Sequence, residues 1–154
     1  MAADEGAGLV TLIIPCVPEY VGTARLTILG VGSRMGFSYD QIEDIRLAVG
    51  EACTNAIERA ARRNGSAAAA AAAADPMITI RSHVDAARLV VEVEDTAGGT
   101  DGDASGGGSE ADDISGTNPQ ELGALLMEIL VDEVTVEPVP GGTRVRLVKY
   151  AAEA

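Results

Sequence analysis

Four segments of this chain alternate apolar and polar residues with a period of two, and they come in pairs joined by very short turns. Met77 to His83 and Arg88 to Asp95 flank a turn around Asp85 to Ala87, while Val134 to Val139 and Thr143 to Tyr150 flank Pro140-Gly141-Gly142. A connection of a few residues can only reverse a strand, because a parallel return needs a crossover of a dozen residues or more. The two pairs therefore predict antiparallel hairpins. Leu9 to Ile14 (LVTLII) adds a short β-branched run that stops at Pro15, as a strand should.

Between and after these strands the period changes to that of a helix. Glu19 to Met35 sets Val21, Ala24, Arg25, Ile28, Leu29 and Gly32 three to four residues apart, and Gly36 ends the segment. From about Tyr39 to about Arg62, after a capped start at Ser38 to Asp40, a broader stripe runs through Ile42, Ile45, Leu47, Val49, Ala52, Cys53, Ala56 and Ile57. Gln120 to Leu130 carries Leu122, Leu125, Leu126, Ile129 and Leu130 on one side. The order β-α-α-β-β-loop-α-β-β predicts an α+β fold, a mostly antiparallel sheet with helices on one face. At 154 residues the chain suits a single domain, residues 1–154.

Two stretches interrupt the pattern. Residues 64–76 hold eight consecutive alanines, Ala67 to Ala74, which have no face to bury and are expected to form a variable connection. Residues 96–119 interleave Gly98, Gly99, Gly102, Gly106, Gly107 and Gly108 with acids, which suggests either a functional lid or a disordered stretch. From Asp95 to Asp113 there are six acids and no base, and the whole chain carries 24 acids against 11 Lys and Arg, a formal net charge of −13. That balance argues against direct binding to a nucleic-acid backbone, which needs a cationic surface. No apolar run is long enough to span a membrane. Cys16 and Cys53 stand far apart with only His83 as another soft ligand, so zinc is not expected; two thiols in an acidic chain whose first residues lack base suggest the cytoplasm.

Three places carry chemistry. Glu51 and Asn55 lie four residues apart, hence on one helical face, within a stripe of small residues (Ala48, Ala52, Cys53, Ala56) that leaves a polar pair to explain. An Asn oxygen is a hard ligand for magnesium that also takes phosphate oxygens, and a Glu can accept a proton from an attacking hydroxyl. Asp95 ends the apolar strand LVVEVED where the lid begins, and could accept a hydrogen bond from the amino group of a bound base. Leu122-Gly123-Ala124 opens the last helix, where a small residue lets backbone N–H groups approach phosphate.

In order along the chain these pieces resemble the GHKL ATPase superfamily. Glu51-Ala52-Cys53-Thr54-Asn55-Ala56 looks like its N box, Asp95-Thr96-Ala97-Gly98 stands where its first glycine box stands, and Leu122-Gly123-Ala124 where a later one ends. The likeness narrows to RsbW-type anti-sigma factors through Pro18-Glu19-Tyr20-Val21-Gly22, Arg25-Leu26-Thr27, Ser33-Arg34-Met35-Gly36, Ile42-Glu43-Asp44, Leu126-Met127-Glu128 and Asp132-Glu133-Val134. The resemblance implies a two-layer α/β sandwich of the Bergerat type that binds ATP and Mg2+. It implies a homodimeric serine kinase that holds a sigma factor or phosphorylates a STAS-domain anti-anti-sigma factor. By position Glu51 would be the base, Asn55 would hold magnesium, and Asp95 would bind the adenine amino group. Ala97, Gly98, Leu122, Gly123 and Ala124 would line the nucleotide, and Arg25 would contact a partner. The chain departs from the pattern at Ala97, where glycine is usual, and at Gln120-Glu121, where a glycine pair is usual. A relative that captures a protein partner without catalysis is the alternative these departures leave open.

Overall fold

The computed structural model describes residues 8–63, 75–97 and 119–151. The alanine run, the interior of the expected lid and Gly98 lie outside the described residues. Strand β1 (Gly8–Pro15) leads through a single 3-10 turn (Pro18–Tyr20) into α1 (Val21–Met35) and α2 (Tyr39–Arg63). Strands β2 (Met77–Val84) and β3 (Arg88–Asp95), helix α3 (Pro119–Leu130), and strands β4 (Glu133–Val139) and β5 (Gly142–Tyr150) follow. The first helix thus begins two residues later than its periodicity suggests, because Pro18 and the 3-10 turn take up Glu19 and Tyr20.

The five strands form one wholly antiparallel sheet in the order β1-β2-β3-β5-β4. The second hairpin docks through β5, so β5 lies beside β3 in the middle and β4 is left at the edge. Ile78 and Ile80 of β2, Leu89, Val91 and Val93 of β3, and Val145 and Leu147 of β5 share one face and are buried against the helices. Ala24 and Ile28 of α1 and Ile45, Val49, Ala52 and Ala56 of α2 cover them. The opposite face carries exposed or half-buried ion pairs, Arg81 with Glu94 and Arg144 with both Glu94 and Glu137. These keep the outer face soluble and contribute little to stability.

Local chemistry sets the boundaries. Gly36 adopts φ 77° and ends α1 in the left-handed conformation that a side chain disfavours. Ser38 and Gln41 then form a capping box: the Gln41 N–H donates to Ser38 Oγ at 3.1 Å and the Ser38 N–H to Gln41 Oε1 at 2.9 Å. At the second hairpin the turn is tighter than three residues. Pro140 and Gly141 (φ 79°) are its centre, and Gly142 is already paired with Val139.

Helix α3 packs differently from its apolar pattern. Leu122, Leu125, Leu126 and Ile129 are 42–78% exposed, whereas Gly123 and Met127 are buried and Ala124 and Leu130 half-buried. The helix approaches α2 through its small residues, and Gly123 admits a closer approach than the leucines would, so the leucine row turns outward. Lys149 on β5 donates to the Leu130 carbonyl at 2.9 Å and holds the C-terminal end of the helix, where a cation is favourable.

Candidate functional site

The surface of α2 from Glu51 to Arg59 gathers the candidate residues. Over those eight positions the helix rises about 12 Å. At one end, the α3 backbone at Gly123 lies so close to α2 that a Cβ there would sit 2.5 Å from Glu51 Oε2 and 3.0 Å from Asn55 Nδ2. Sequence segments about seventy residues apart are thus brought into contact: the Glu51 and Asn55 pair faces the opening turn of α3. Asn55 is 8% exposed, and Glu51 is half-buried. Leu122, beside Gly123, points outward, and Ala124 is half-buried.

At the other end stands Asp95, the last residue of β3. The strand alternation that buries Leu89, Val91 and Val93 also turns Asp95 toward the helices, where it is 2% exposed. Its Oδ1 accepts the Ala97 N–H at 2.9 Å, an Asx turn that directs the chain out of the sheet. Its Oδ2 pairs with the guanidinium of Arg59 on α2. Ala97, in the position where a glycine was expected, is 4% exposed and serves this turn. The backbone of Asp95 is fixed from the far side by Gly142, where an added Cβ would overlap the Asp95 carbonyl oxygen.

Directly across from Asp95 in the β3–β5 register lies Thr143, 1% exposed, whose hydroxyl has no partner among the described residues. A fully buried hydroxyl without a partner is costly unless something else supplies one. Beside Asp95 the donor set thus contains a carboxylate acceptor and an unused hydroxyl, chemistry that suits the polar edge of a nucleobase. Near Glu51 the set is a carboxylate and an amide oxygen. No cluster of three metal-binding side chains occurs among the described residues, so a divalent cation here would take most of its oxygens from phosphate and water.

The two cysteines lie beneath this surface. Burial, with the nearby Asp95 carboxylate adding to it, pushes the Cys16 thiol up to about 11. Burial and the neighbouring Cys16 push the Cys53 thiol up to about 12. Both act as packing groups. Arg25 on α1 lies half-buried across Gly50 of α2, where an added Cβ would sit 2.5 Å from its Nε. It neighbours the helix that carries Glu51 but is not part of the Glu51, Asn55 and Gly123 contact.

Arg59, Thr143 and Gly142 are absent from the sequence-derived set. A lone arginine four residues past Asn55 had a visible signal, the continuing i, i+4 face; the other two depend on strand register, which no local pattern displays.

Comparisons with known proteins bear on the family and the fold. The family model of the histidine kinase-like ATPase domain matches residues 14–149. The serine-protein kinase RsbW of Bacillus subtilis (strain 168) is 38% identical over 157 residues, covering 95% of this chain and 88% of that protein. Its counterpart in Listeria innocua is 34% identical over 150 residues, covering 94% and 88%. Among solved structures, the RsbU and RsbW domains of a Mycobacterium tuberculosis protein superpose with a TM-score of 0.64 at 17% identity, covering 96% of this chain and 34% of that one. The histidine kinase domain of a blue-light activated kinase from Erythrobacter litoralis gives 0.50 at 22% identity, covering 94% and 68%. At these identities the two structures speak for the fold alone.

Proposed function

The chain belongs to the histidine kinase-like ATPase family, in its RsbW branch, and from that premise we propose that it is an ATP-dependent serine kinase acting as an anti-sigma factor. It regulates transcription by switching between a sigma factor and a STAS-domain anti-anti-sigma factor, which it phosphorylates on serine. The observation that carries this reading is the α2 surface, with an acid–amide pair against the start of a helix at one end and a buried carboxylate beside an unused hydroxyl at the other.

In this reading Asp95 and Thr143 receive the adenine edge. The phosphates lie toward Asn55 and the first turn of α3, where N–H groups without helical partners favour anions. Asn55 would hold magnesium through its amide oxygen, and the ion would supply positive charge against the triphosphate. Glu51 takes the proton of the partner's serine hydroxyl as that oxygen attacks the γ-phosphorus, and ADP departs. Arg25, half-buried between α1 and Gly50 of α2, is assigned to the partner-binding surface. No described helix is long and apolar enough to cross a membrane, and a cytoplasmic homodimer is the expected working form.

A second reading has its own observation: six acids and no base follow from Asp95 to Asp113, and Gln120-Glu121 replace a glycine pair where triphosphate would approach. These add like charge near a polyanion, which favours a binding-only regulator. Titration with Mg-ATP, followed by transfer of radiolabelled phosphate to a STAS protein, separates the two. Transfer that Glu51→Ala abolishes supports the kinase. Absence of any binding at millimolar Mg-ATP, with sigma capture retained, leaves the binding-only regulator.

A further inference from the structure

One strong contact at the base end has no part in the roles above. The guanidinium of Arg59 pairs with Asp95 Oδ2 while the Ala97 N–H holds Oδ1, and the two side chains are only 12% and 2% exposed. Burying such a pair brings little stability, because desolvation offsets most of the attraction. Its effect is geometric. A carboxylate gripped on one oxygen by a planar cation and on the other by a backbone N–H has a single orientation, and it can only accept hydrogen bonds. Arg59 is itself well placed to hold it, standing one turn beyond Asn55 on a helix whose inner face is packed in the core. Its Nε is buried without a partner among the described residues, where Asp95 is the side chain that the guanidinium pairs with.

We propose that Arg59 is the positioning residue for nucleobase selection: it locks Asp95 as a pure acceptor, so that the site takes a purine with an amino group at position 6 and rejects one with an oxygen there. The inference rests on the reading that Asp95 meets the adenine amino group. ATP and inosine triphosphate differ only along that edge, where the amino group and bare N1 of adenine give way to an oxygen and an N1–H, so their ratio reports how the site reads it. A 6-oxo purine sets a carbonyl oxygen against the fixed carboxylate, two acceptors with no proton between them, whereas the amino group bonds it.

The test is calorimetric titration of the full chain with Mg-ATP and with Mg-ITP, for the wild type, Arg59→Gln, Arg59→Lys and Asp95→Asn, with melting curves alongside. The wild type should prefer ATP by at least about tenfold. In Arg59→Gln, ATP binding should fall roughly tenfold toward that of ITP while ITP changes little, and Arg59→Lys should recover part of the preference. In phosphate transfer the loss should appear in KM for ATP with kcat held. If Arg59→Gln does not fold, Arg59→Lys carries the same test through a partial loss of the ratio. An unchanged ATP to ITP ratio in the Arg59 variants would overturn the proposal, as would tighter ATP binding, which would mean that Arg59 competes with the base. If instead Asp95→Asn leaves the wild-type preference intact, the adenine reading itself falls.

Discussion

Asp95 and Glu51 serve two ends of one helical surface and are held in opposite ways. Asp95 is buried, bonded at both oxygens, and backed by a glycine that leaves no room for movement. Glu51 is half-buried, and the bare backbone of α3 at Gly123 lies against its carboxylate and the Asn55 amide. The first end is finished by the fold alone. The second, on the proposed reading, is a set of oxygens completed only when the nucleotide's phosphates and a cation are bound. A base can be recognised by a rigid edge, whereas a transferring phosphoryl group needs surroundings that adjust as charge moves.

The contrast can be broken from the rigid side first. Gly142→Ala forces a methyl group into the Asp95 carbonyl, and backbone cannot yield as a side chain can. We expect a loss of about 3 kcal/mol, or roughly 6–12 °C in melting temperature. A variant melting within a degree or two of wild type would show that the base end is not rigid.

Glu51→Gln tests the adjustable side. It keeps the size of the side chain and removes the proton acceptor, so kcat for phosphate transfer should fall on the order of 10²-fold while ATP binding and melting stay close to wild type. Loss of ATP binding together with rate would instead make Glu51 a nucleotide ligand.

Gly123→Ala sharpens the comparison further. The added Cβ crowds Glu51 Oε2, but that atom is the end of a flexible side chain that can swing aside. Alanine is favoured over glycine in a helix by about 1 kcal/mol, which offsets the crowding, so melting should hardly move. Displacing the base should still lower kcat/KM by roughly tenfold. A large fall in melting temperature would place Gly123 with Gly142 as a rigid contact.

The smallest effect is expected at the thiols. With Cys16 pushed up to about 11 and Cys53 up to about 12, fewer than about one in a thousand is thiolate at pH 8. Iodoacetamide at that pH should modify neither until the chain unfolds. Rapid alkylation of the native protein would mean that the packing beneath the base end opens.

Much of this molecule could be read from the chain directly. The hairpins were visible because a short turn between alternating segments admits only reversal, and β3 begins and ends where its pattern does. The Glu51 and Asn55 pair showed itself because polar residues interrupt a stripe of small ones at helical spacing. The last helix shows where such reading stops. Its leucine row has the clearer apolar pattern, yet the helix packs through Gly123 and Met127. Contact distance rather than hydrophobicity selected the buried face.

Sequence by itself determined the elements, their antiparallel pairing within hairpins, and the candidate residues for the chemistry, because turns and periodicities act over a few residues. Only the tertiary structure decided that β5 rather than β4 meets β3, and with that choice it placed Thr143 across from Asp95 and Gly142 behind it. It also carried Arg59 to Asp95, thirty-six residues away, and Gly123 to Glu51. Such pairings follow from how the layers bury their faces together, a property of the whole core that no local window contains.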